Sequence, residues 1–107
     1  MFRSSLIPSI SHINWLNQNV SDVSVLIVDE EIRGYAAFYI DMDKIILRDL
    51  GYPWYSNPNY QEDATKLGNS TIMQGYPVYL IARHFSISGY EAIQEGEYLK
   101  VYVYKEG

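Results

Sequence analysis

The chain has 107 residues, 48% of them hydrophobic, with 8 basic and 13 acidic side chains and a formal charge of −5. That length and apolar content suit one folded domain, and the acidic balance argues against charge-driven nucleic-acid binding, which needs a basic face. With no cysteine there is no disulfide framework or thiolate site, and no apolar stretch suits a signal peptide or membrane span, so a soluble cytoplasmic protein is expected.

The single domain, 1–107, divides by texture into four parts. In 1–22, Ile10, Ile13, Leu16 and Val20 recur at near-helical spacing behind Ser9 and Ser11, either of which suits an N-cap. In 23–50, Val23–Val28 is a β-branched apolar run and predicts the first strand, and Asp29, Glu30 and Glu31 read as a charged turn. Tyr35–Ile40 then alternates, placing Ala36, Phe38 and Ile40 on one face and Tyr35, Ala37 and Tyr39 on the other. After the polar Asp41-Met42-Asp43, the run Lys44–Arg48 alternates again, Ile45 and Leu47 against Lys44, Ile46 and Arg48. Period two around a short polar turn predicts an antiparallel hairpin, so 23–50 reads as a three-strand meander.

In 51–75, Gly51, Pro53, Asn57 and Pro58 break regular structure and carry Tyr52, Trp54 and Tyr55 among them. Asn57 suits an N-cap and Pro58 the first helical position, opening a helix that Gly75 ends. Tyr60, Ala64, Leu67 and Thr71 or Ile72 share one of its faces, with Glu62 and Asp63 at its positive end. In 76–107, Tyr76–Phe85 is apolar on both faces and predicts a strand covered on each side. Ser88-Gly89-Tyr90-Glu91 has capping-box spacing but leaves room only for a turn before Gly96. Tyr98–Tyr104 is the last strand: Leu99, Val101 and Val103 face a core, and Tyr98, Lys100, Tyr102 and Tyr104 form a half-exposed stripe that is a candidate homodimer face.

This order, an α+β mixed sheet with an N-terminal antiparallel meander, one main helix and two further strands, resembles a minimal GNAT N-acetyltransferase fold. The stretches that carry the resemblance are Gly34-Tyr35-Ala36-Ala37, Ile45–Leu50, the 58–74 helix, Gly75 before the buried strand, and Gly89-Tyr90. It implies an acetyl-CoA site formed by Leu50, Tyr52, Gln61 and Ala64, with Asp49 at the strand end as a candidate general base. The chain departs from the family where the chemistry sits. The family's Q/R-x-x-G-x-G/A helix start, whose backbone N–H groups hold a pyrophosphate, corresponds to Gln61-Glu62-Asp63-Ala64-Thr65-Lys66, with both glycines missing and two carboxylates added. The family's tyrosine acid falls on Phe85, which has no proton to give.

The remaining constellations carry little chemistry. Asp41, Asp43 and Asp49 fail the EF-hand pattern because Ile45 and Ile46 take the fifth and sixth places, and no other metal set is expected. His12 and His84 have no partners at ligand spacing, and no G-x-S-x-G elbow accompanies Ser86 or Ser88. The aromatic cluster is the stronger signal, because Trp and Tyr recur at binding hot spots and acidic neighbours favour a basic partner. The first reading is therefore a non-catalytic protein-binding or inhibitory module, of immunity or anti-defence type. It would act through Tyr52, Trp54, Tyr55, Tyr60, Glu62 and Asp63, with no cofactor, nucleic acid or membrane involved. The alternative is a divergent acetyl-CoA-dependent N-acetyltransferase.

Overall fold

Five consecutive buried residues, Ser24–Val28, form strand β1, the centre of the parallel half of the sheet. A computed structural model describes residues 9–84, 86–96 and 98–105, the side chains of Ser9 and Trp54 excepted. Helix α1 (Ser9–Asn19) precedes β1 and buries Ile13, Leu16 and the following Val20, as their spacing predicts. Its last carbonyls are closed by a cation: Lys44 Nζ donates to the carbonyls of Asn17 and Val20, at 3.2 and 3.3 Å.

The three-strand meander is not formed. Residues expected to make its second strand form helix α2 (Glu30–Tyr39) instead. Asp29 is its N-cap, accepting from Ile32 N at 3.1 Å, and Glu30 and Glu31 sit in the first turn, where the helix end favours negative charge. Ile32, Ala36 and the C-cap Ile40 are buried at a spacing of four, whereas Phe38, which a strand would place beside Ala36, is 87% exposed. Gly34-Tyr35-Ala36-Ala37 thus lies within a helix and not at the start of a strand. Strand β2 (Ile45–Asp49) is found near its expected place but pairs parallel to β1, with Leu26 opposite Leu47. A parallel pair needs a crossover rather than a tight turn, and α2 is that crossover.

Helix α3 (Tyr60–Met73) runs through Gly68 without interruption and is followed, past its C-cap Gln74, by Gly75, whose φ of 97° is available to glycine at little cost. Asn57 does not cap it through α3 itself; its Oδ1 accepts from Asn59 N at 3.0 Å, closing a turn one step earlier. Strand β3 (Val78–Ala82) pairs parallel with β1 on one side and antiparallel with β5 (Lys100–Tyr104) on the other, and is covered on both faces as expected. The segment 90–95, expected to be a turn, is a six-residue edge strand, β4 (Tyr90–Glu95), paired with β5.

The sheet order is β2-β1-β3-β5-β4. Consecutive crossovers run to opposite sides of β1, so a fixed crossover hand puts their helices on opposite faces. One core accordingly joins α1 and α2 to Leu26, Val28, Ile45, Ile81 and Val101, and the other joins α3 to Val25, Ile27, Val78, Leu80, Tyr102 and Tyr104. The result is a compact α+β domain with a mixed five-stranded sheet between two helical layers and a radius of gyration of 12.8 Å. Tyr102 and Tyr104 are 3% and 7% exposed beneath α3, so they do not form the half-exposed stripe expected of the last strand; Tyr98 alone is exposed there. No helix among the described residues is long and apolar enough to cross a membrane.

Candidate functional site

In an open sheet of this order the loops at the carboxyl ends of the parallel strands flank the switch point between β1 and β3, the usual place for a ligand. Three segments meet that end here: Asp29 to Glu31 after β1, the loop 50–59 after β2, and Arg83 onward after β3. The loop after β2 leaves the sheet through a bonded turn. Gly51 N donates to Asp49 Oδ1 at 2.6 Å, Leu50 N to the Val28 carbonyl, and Glu30 N to the Gly51 carbonyl. Asp49 Oδ2 lies 3.5 Å from Arg33 Nε on α2. One oxygen of Asp49 therefore closes the turn that follows β2, and the other faces Arg33 of α2.

Beyond that turn the chain presents Tyr52 and Tyr55, 67% and 62% exposed, on either side of the buried Pro53. A single 3₁₀ turn, Trp54–Ser56, sets the direction of Tyr55, whose hydroxyl donates to Glu31 Oε2 across 3.4 Å. The Trp54 side chain and Phe85 lie outside the described residues. Glu31 raises the Tyr55 pKa above its usual value, mainly through its charge and also through the hydrogen bond. A charged turn at 29–31 does not bring Glu31 to this surface; the helix-capping pattern beginning at Asp29 is the signal that places it.

The other sequence candidates separate into core and rim. Tyr60 is buried beside Ala64 in the α3 core, and Leu50 packs on the same cluster. Glu62 is exposed and lies 3.9 Å from Lys66, and half-buried Asp63 accepts from Asn57 Nδ2 at 3.4 Å. Gln61 is exposed, its Nε2 donating to the Ser86 carbonyl at 3.4 Å. The residues assigned to acetyl-CoA thus do not line one surface: Ala64 and Leu50 face the core while Tyr52 and Gln61 face outward. The α3 N-terminus also offers a pyrophosphate two carboxylates of its own first turn, and this donor set does not fit that cofactor.

Asp41 belongs to the turn before β2 and Asp49 ends that strand, and Asp41 is taken up by Asp43 N and Lys44. His12 and His84, distant in sequence, both brace the end of β4: His12 Nδ1 meets Gln94 Oε1 at 2.9 Å and His84 Nε2 donates to the Gly96 carbonyl at 3.0 Å.

Between α3 and the sheet lies a tyrosine layer. Tyr90 packs edge-on against Tyr102 and Tyr104 and donates to the Ala64 carbonyl at 2.7 Å. Burial is the main cause that raises the pKa of Tyr60 and of Tyr90 well above 10.0, with the charge of Asp29 adding at Tyr60 and Tyr104 adding at Tyr90. The unfolded chain releases these protons near the ordinary tyrosine value while the folded one keeps them. Their contribution is therefore whole below a pH of about 10 and is lost as the pH rises above it. Urea midpoints measured from pH 8 to 11 should fall in that upper range, with a late-titrating fraction of the 11 tyrosines in the ultraviolet. A flat profile would show that neither hydroxyl is desolvated.

Compared with protein-family models, curated proteins and solved structures, the chain finds no match.

Proposed function

We propose that this chain is a non-catalytic protein-binding module, inhibitory in type, that engages a basic partner through the loop after β2. The observation that supports this reading is the pair Tyr52 and Tyr55, both mostly exposed on a loop fixed by its bonds to β1 and α2, with Glu31 hydrogen-bonded to one of them. Large rigid aromatic surface held in place beforehand is what protein recognition uses at its hot spots, and it costs little entropy on binding. The nearby carboxylates would speed the approach of a basic partner and orient it.

The test is a comparison of partners retained by the wild-type chain and by a Tyr52→Ala/Tyr55→Ala variant. Both side chains are surface groups, so stability should change by no more than about 0.5 kcal/mol. Partners with basic surfaces should be lost from the variant; retention of the same set would refute the loop's role. Calorimetry with acetyl-CoA on the same sample addresses the non-catalytic half of the proposal, and micromolar binding would overturn it.

A further inference from the structure

We infer that the outer face of α2 extends the Tyr52–Tyr55 surface and receives a basic-flanked amphipathic helix of a partner protein, about three turns long. This rests on the protein-binding reading above and adds the occupant's chemistry. Tyr35, Phe38 and Tyr39 are 41%, 87% and 45% exposed, on the flank of α2 that adjoins the buried stripe of Ile32, Ala36 and Ile40. At helical spacing, residues 31, 35, 38 and 39 fall within a sector of about 100°. Glu31 belongs to that sector and holds the Tyr55 hydroxyl, so the loop joins the head of the aromatic stripe.

Charge decides what covers it. Between Asp22 and Asp49 the chain carries seven acidic and three basic side chains. Two of those cations, Arg33 and Lys44, are engaged by Asp49 and Asp41. Among the described residues no cation pairs with Glu30, Glu31 or Asp43. Glu30 and Glu31 stand at one end of α2 and Asp41 and Asp43 just past the other, so carboxylates bracket the aromatic stripe across roughly 15 Å of helix. A matching occupant carries cations at both ends of an apolar stretch of that length.

Two further arguments select a helix from another protein. An extended segment laid along a helix face would leave its own N–H and C=O groups unpaired against aromatic rings, whereas a helix satisfies them internally and packs its rows into those of α2. In a two-fold pairing of this face with a second copy, each acidic end of α2 would meet an acidic end of its mate, in whichever direction the helices ran.

The probe is a fluorescein-labelled helical peptide with a leucine-alanine face and paired lysines at both ends, beside a version with glutamate for lysine. Both are titrated against the full chain by anisotropy. The lysine peptide should bind in the micromolar range, weaken as salt is raised, and lose at least tenfold in affinity to Tyr35→Ala/Phe38→Ala, with the glutamate peptide not binding. Loss in the Tyr52→Ala/Tyr55→Ala variant but not in the α2 variant would overturn this inference and leave the loop reading intact. Loss in the α2 variant alone would keep the α2 site and remove the loop from it. Equal binding of both peptides, or no effect of either variant, would overturn the inference. So would a concentration-dependent doubling of mass by sedimentation that the α2 variant abolishes, since a second copy would then be the occupant.

Discussion

Gly68→Ala is expected to destabilise the domain by about 1–2 kcal/mol, and Gly34→Ala to stabilise it by about 0.5–1 kcal/mol. Both glycines sit inside helices, where alanine is ordinarily preferred, so the opposite signs come from what surrounds them. A methyl group at Gly68 would lie 2.5 Å from the Tyr90 hydroxyl and 2.8 Å from Tyr104 Cδ1, inside the tyrosine layer between α3 and the sheet. Tyr90 would have to give up its bond to the Ala64 carbonyl, and the Tyr104 ring that must shift is buried and in edge contact with Tyr90. At Gly34 nothing lies within 4 Å, and the position is exposed on α2. Urea unfolding followed by circular dichroism measures both. A stabilising Gly68→Ala would mean that α3 does not press on the tyrosine layer. A neutral or harmful Gly34→Ala would mean that residues 30–39 are not helical, since a strand gains nothing of the kind from alanine.

The second test matters because α2 is where the sequence could be read two ways. Ile32, Ala36 and Ile40 are four apart, a spacing that shares one face in a helix and one face in a strand alike. The residue that separates the two readings is Phe38, which strand alternation groups with Ala36 and the helix sends to the opposite side. The alternation of Ala36, Phe38 and Ile40 with Tyr35, Ala37 and Tyr39 fits a strand, while Asp29 followed by two glutamates fits a helix start. The expected meander and the antiparallel pairing of β2 both depend on a strand at 35–40, and the helix removes both. Elements with one unambiguous period were legible: α1, β1, α3 as far as Gly75, β3 and β5 all fall near their expected places. Strand β4 was not, because Tyr90–Glu95 is a half-exposed edge strand whose Glu, Ala and Gln residues have little strand preference of their own.

The site was legible in the same uneven way. Tyr52 and Tyr55 are exposed on a Gly/Pro-punctuated loop, as their setting suggested. Tyr60, taken with them, is buried, because it opens α3 and turns inward while the loop residues before it do not. Strand alternation puts Tyr102 and Tyr104 on one face but does not reveal that α3 covers it. The aromatic row on α2 and the Glu31 link to Tyr55 depend on the helix, and no strand reading brings them together.

Asp29→Ala should cost about 1–2 kcal/mol of stability and also loosen the candidate surface, whereas Asp29→Asn should retain most of both. Asp29 is 2% exposed at the end of β1, and its carboxylate accepts the Ile32 N–H in the first turn of α2. Alanine removes the shorter of the two bonds of that donor and leaves the Ile32 N–H only its bond to the Asp29 carbonyl, at 3.2 Å. Asparagine keeps an oxygen at the same place and ranks with aspartate as an N-cap. The first turn also carries Glu30 and Glu31, and Glu31 holds the Tyr55 hydroxyl. Fraying that turn would therefore release Tyr55 from α2 and separate the loop from the aromatic row. Thermal unfolding should show a fall in Tm of roughly 4–8 °C per kcal/mol lost, as for other domains of about 100 residues. Amide exchange should rise first at residues 30–34 in the alanine variant and stay near wild type in the asparagine variant. Equal losses in both variants would shift the explanation from the cap to the charge of Asp29, leaving Tyr60, whose hydroxyl feels that charge, as the group to probe next.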